Sequence, residues 1–125
     1  MRKSSWVALC TLAVALVVAA AAYAADAKSG AGMWKGEIVD IACYSAKSAK
    51  GAGHSDCAKK CLQNGQPMGL LTGDGDMVLL VADHADGKAF DSAKQMAGKN
   101  VEVSGTMAEK GGMKVVTVTG VKPAA

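Results

Sequence analysis

Three cysteines and a histidine fall within nineteen residues, in the order Cys43, His54, Cys57, Cys61, a spacing of C-x10-H-x2-C-x3-C. Thiolates and imidazole suit zinc or Cu(I), and three sulfurs with one nitrogen make a full tetrahedral ligand set. Cys57 and Cys61 are four apart, so a helix would carry them on one face, a turn from each other. His54, three residues ahead of Cys57, would stand at the entrance to that helix. The C-x2-C knuckles of zinc ribbons are missing, so the spacing names a ligand set and not a known zinc module.

The same residues support two other chemistries. In an oxidising compartment Cys43 would form a disulfide with Cys57 or Cys61, stapling the segment to the fold and leaving His54 an ordinary loop residue. Alternatively, Cys57 and Cys61 would exchange disulfides with a partner or hand a metal to it. Cys57 lies near a helix start with Lys59 and Lys60 close by, which favours exchange. An odd number of cysteines cannot all pair within one chain, and the unpaired thiol weighs towards a bound ion.

Other constellations are weaker. His84 follows Val81-Ala82-Asp83 at the end of an apolar run, where a histidine is most often solvated. Met68, Met77, Met107 and Met113 fall at strand positions and read as core filler. Asp74 and Asp76 flank a glycine in a turn and lack the further acidic ligands of a calcium loop. The chain has no C-x-x-C-H for haem, no G-x-S-x-G nucleophile and no phosphate loop. Nothing marks it as an enzyme.

The amino terminus reads as a cleavable export signal over residues 1–24. Arg2 and Lys3 precede the uncharged run Val7 to Ala22, and Ala22-Tyr23-Ala24 supplies a small-x-small cleavage site. Cys10 belongs to that run, so three cysteines remain after cleavage. Loss of Arg2 and Lys3 leaves twelve basic against eleven acidic residues, a net charge of +1. With only Trp34, Tyr44 and Phe90 as aromatics, the exported chain offers neither a basic groove nor stacking platforms for nucleic acid. No membrane span is expected once the signal is removed, and the destination is the periplasm or the medium.

Something must position the cysteines. Residues 25–32 are small and polar and read as a flexible leader, and residues 33–125 as one domain. Trp34 to Tyr44 reads as a first strand, which would place Cys43 at its end. Ser45 to Gly53 reads as a loop, and Ser55 as the N-cap of a short helix over Asp56–Gln63, ended by Asn64-Gly65. Met68–Thr72 and Met77–Ala82 make a hairpin about Gly73-Asp74-Gly75-Asp76. A helix over Asp91–Ala97 follows, stopped by Gly98. Two more strands come next, one alternating Val101, Val103 and Met107 with polar residues, the other over Met113–Val121.

This order predicts a mostly β fold: a five-stranded OB-fold-like Greek-key barrel. It has a short helix between strands 3 and 4 and a Cys/His helical insertion between strands 1 and 2. From Trp34 to Lys122, in its element order and its Val-Glu-Val-Ser-Gly-Thr and Val-Val-Thr-Val-Thr-Gly-Val strands, the chain resembles small periplasmic bacterial OB-fold proteins. The resemblance implies a fold and a compartment but no activity. The expectation is a small binding module with zinc or copper on Cys43, His54, Cys57 and Cys61. The alternatives are a disulfide-stapled barrel that takes a small ligand or an envelope protein, and a thiol-disulfide or metal-transfer partner.

Overall fold

In the computed structural model, which describes residues 28–125, strand β1 (Lys28–Asp40) is long enough to serve two neighbours. Its last five residues pair antiparallel with β2 (Met68–Thr72), from Gly36↔Thr72 to Asp40↔Met68. Lys28 to Glu37 pair antiparallel with β4 (Asn100–Lys110). β2 forms a hairpin with β3 (Met77–Ala82). β3 runs parallel to β5 (Met113–Pro123), and β5 pairs antiparallel with β4. The order β1-β2-β3-β5-β4 closes into a barrel.

Alternating strand residues fill the interior. Ile38, Leu70, Val78, Leu80, Val101, Val103, Val116 and Val118 are all buried, as a half-polar, period-2 pattern requires. Three short helices are seen among the described residues. Helices α1 (Ile41–Lys47) and α2 (Ser55–Gln63), with a 3-10 turn between them (Ala52–His54), connect β1 to β2, and α3 (Lys88–Lys94) connects β3 to β4. Ala58 and Leu62, four apart on α2, and Ala93 on α3 join the same core.

Several boundaries differ from the sequence reading. β1 ends at Asp40, and Ile41 to Tyr44 are helical. Asp40 is extended (φ −78°, ψ 114°), and its carboxylate accepts the Ala42 N–H at 2.9 Å, the geometry of a helix N-cap. That cap outweighs the β propensity of Ile41. Lys28 to Gly32, expected within a flexible leader, belong to β1, because β4 supplies their backbone partners whatever their side chains. The signal over residues 1–24 and the start of the leader lie outside the described residues.

Ser55 is not a cap but the first residue of α2, and its hydroxyl donates to the Ala97 carbonyl at 2.6 Å. α3 starts at Lys88 rather than Asp91, after the Asp86 carboxylate accepts the Lys88 N–H at 3.0 Å. Its end tightens into i→i+3 bonds up to Ala97. Among the methionines Met68 is buried and Met107 packs on the core, but Met113 is 57 % exposed. It opens β5 directly after the Gly111-Gly112 turn, at a hairpin tip.

Glu102 ties three strands. It faces Lys122 of β5 at 2.8 Å and Lys35 of β1 at 3.7 Å, both cross-strand neighbours in the barrel register. The hydrogen bond from Lys122, aided by both charges and opposed by burial, holds its carboxyl below the usual glutamate range. A carboxyl depressed by folding stabilises above its unfolded pKa and loses that contribution as pH falls through the folded value. Glu102→Gln should therefore lower the urea midpoint at pH 7. The gap from wild type should close below about pH 4. Equal midpoints at pH 7 would show that the two lysines contribute nothing there.

Candidate metal centre

The segment between β1 and β2 folds as two helices that bring their starts together. α1 is capped by Asp40 and stops at Ser48, whose φ of 53° is left-handed and whose N–H donates to the Tyr44 carbonyl at 2.7 Å. α2 stops in a Schellman motif: the Gln66 N–H donates to the Cys61 carbonyl at 3.0 Å and the Gly65 N–H to that of Leu62 at 3.2 Å. Gly65 supplies the positive φ of 91° that the motif needs.

Backbone and side-chain bonds fix this segment to the barrel. The Glu37 carboxylate accepts the Gly51 N–H. Ser55 holds the Ala97 carbonyl, and the Gly98 N–H donates to the Ile38 carbonyl at 2.8 Å. Gly98 has a φ of 76°, and a Cβ there would lie 2.8 Å from the Gly51 carbonyl oxygen. The loop and the α3–β4 turn are thus in backbone contact.

On this frame Cys43 is the third residue of α1, His54 immediately precedes α2, and Cys57 and Cys61 lie one turn apart on α2. Cys43 is therefore not at a strand end, as expected, but in the first turn of a helix that continues β1. The donor atoms of Cys43, His54 and Cys57 lie within 4.8 Å of one another. Those of Asp40, Cys43 and Cys61 form a second trio, likewise within 4.8 Å of one another. Cys43 is common to both. The four residues expected as ligands are thus all in one place, but Cys61 stands with Cys43 and Asp40 rather than in the trio with His54. His84 is exposed and belongs to neither trio.

Asp40 is the residue that sequence reasoning missed. Its signal was a carboxylate placed directly before Ile-Ala-Cys, an N-cap position. It is only 1 % exposed. One carboxylate oxygen caps α1; the other, Oδ2, is buried without a hydrogen-bond partner. His54 Nε2 is in the same condition. A buried polar atom left unpaired costs roughly 1–3 kcal/mol, and each of the two trios draws on a residue that carries one.

The thiols respond to this crowding. Cys43, Cys57 and Cys61 are free, with Cys57 exposed and the other two half-buried. The Asp40 carboxylate beside it is the main cause that raises the Cys43 thiol; burial and the nearby Cys57 add to the rise, and the Cys61 thiol opposes it. Burial pushes the Cys61 thiol up to about 12, with Asp40 and Cys57 adding to it. Thiols held protonated in this way are poor nucleophiles in neutral water.

A cation inverts that balance, because a thiol that coordinates a metal releases its proton to solvent and binds as the thiolate. In a tetrahedral zinc site, with Zn–S about 2.3 Å and Zn–N about 2.0 Å, neighbouring donors stand about 3.5–3.8 Å apart. The donors of each trio lie within 4.8 Å of one another, so closing onto an ion asks for shifts of no more than about 1 Å. Comparison with protein-family models, curated proteins and solved structures finds no match to the chain. Function is to be sought in the site itself. No helix among the described residues is long and apolar enough to cross a membrane.

Proposed function

We propose that the chain is an exported binding module on an OB-type barrel that holds a soft metal ion, zinc or copper, through Cys43, His54, Cys57 and Cys61. The observation that carries this reading is His54, whose Nε2 is buried without a partner and whose ring places a nitrogen within 4.8 Å of two free thiols. An imidazole nitrogen in that position lacks only an acceptor or an ion. The strand order, with its single parallel pair of β3 and β5, supports the OB-type barrel. The insertion lies between strands 1 and 2, the connection that commonly borders the ligand face of such barrels. Arg2-Lys3, the apolar run and Ala22-Tyr23-Ala24 support export to the periplasm.

A closed set of four protein donors makes the ion structural, and ordering α1 and α2 around it is its work. The disulfide-stapled and thiol-exchange alternatives fit less well. Both leave the buried Nε2 of His54 without a partner. Cobalt(II) titrated into the reduced chain tests the reading. Thiolate-to-cobalt charge-transfer absorption and the visible bands of a tetrahedral site are expected, weakened in His54→Ala. A spectrum no different from free cobalt would overturn it.

A further inference from the structure

The site contains more donors than one tetrahedral ion can use. Five residues converge, Asp40, Cys43, His54, Cys57 and Cys61, and they fall into two compact trios rather than one group of four or five. Each trio includes a residue with an unsatisfied buried atom: His54, through Nε2, in one and Asp40, through Oδ2, in the other. A single ion among Cys43, His54, Cys57 and Cys61 would leave Asp40 Oδ2, on a side chain 1 % exposed, still without a partner.

We infer that the cluster binds two divalent ions. One is held by Cys43, His54 and Cys57, the other by Asp40, Cys43 and Cys61, and the Cys43 thiolate is common to both. This rests on the metal-binding reading above and divides its single four-donor site between two ions, with Asp40 as a fifth ligand. Charge supports it. Three thiolates and a carboxylate carry four negative charges, and two divalent ions neutralise them where one would leave a net double charge in a half-buried site. Zinc accepts all three donor types, sulfur, imidazole nitrogen and carboxylate oxygen. Cu(I) suits the carboxylate poorly, so the pair of trios favours zinc.

Three protein donors per ion leave one position on each for water or an outside ligand. That arrangement separates the inference from a closed structural site.

The test is stoichiometry. Zinc is dialysed to saturation into the reduced chain, and bound zinc is counted per chain for wild type, Asp40→Asn and His54→Ala. Asparagine caps a helix about as well as aspartate, so Asp40→Asn removes the anionic donor and keeps α1. Two zinc ions are expected in wild type and one in each variant, with unchanged far-UV circular dichroism. One zinc in wild type overturns the two-ion inference and leaves the single-ion reading standing. Two zinc ions in Asp40→Asn would also overturn it, because the second ion would not need Asp40. No zinc in wild type overturns both readings.

Discussion

Cys43→Ser is expected to lower zinc affinity by at least about 100-fold, more than the ~10–100-fold that the loss of an outer-shell partner costs. Cys43 is the one donor present in both trios, so its loss damages the site whether one ion is bound or two. Serine is nearly isosteric but presents a hydroxyl that zinc does not deprotonate as it does a thiol. The barrel should survive, because its core of Ile38, Leu70, Leu80, Val101, Val103, Val116 and Val118 lies outside the insertion. Without the ion, α1 and α2 retain their caps, the Glu37–Gly51 and Ser55–Ala97 hydrogen bonds and the contacts of Ala58 and Leu62. Helices this short do not persist alone. Hydrogen exchange in the presence of zinc should therefore quicken at the amides of 41–63 and stay slow in β4 and β5. Equal protection of 41–63 in wild type and variant would mean that no ion organises the insertion through Cys43.

Leu62→Ala should lower stability by about 2–5 kcal/mol, a fall of order 10 °C or more in Tm for a domain of this size. Leu62 is fully buried and sits one residue beyond Cys61. Its side chain seats α2 on the barrel, so the variant opens a cavity and also unseats the helix that carries Cys57 and Cys61. Zinc binds the folded state, so adding it should recover part of the lost Tm in wild type and variant by mass action, at a higher zinc concentration in the variant. A Tm within a degree or two of wild type would show that α2 is not held by its apolar face.

The strands were readable because their residues alternate. Val101, Val103, Val116 and Val118 follow period 2, and Met68–Thr72 and Met77–Ala82 coincide with β2 and β3. Asn64-Gly65 likewise marked the end of α2, where a positive φ requires glycine. The start of the insertion was misread for a physical reason. Ile38, Val39 and Ile41 look like one strand, and only the hydrogen bond from the Ala42 N–H to Asp40 shows that the chain turns helical between them. That error hid the fifth donor, because Asp40 in mid-strand has no reason to face a cysteine. Ser55 was misassigned for a related reason: its hydroxyl has a long-range partner in Ala97, which local spacing cannot reveal. The convergence of Cys43, His54 and Cys57 was anticipated from residue type. Their division into two trios depends on the α1–α2 arrangement, and spacing does not determine it.

Whether the Cys/His insertion is built around metal decides between the proposed site and a disulfide staple. Mass spectrometry under native conditions, on the chain isolated without reductant from the cells that make it, addresses this most directly. The account predicts a mass above that of the metal-free chain by one or two metal ions, with Cys43, Cys57 and Cys61 unmodified. A metal-free mass two hydrogens short, the signature of one disulfide among the three cysteines, would contradict it.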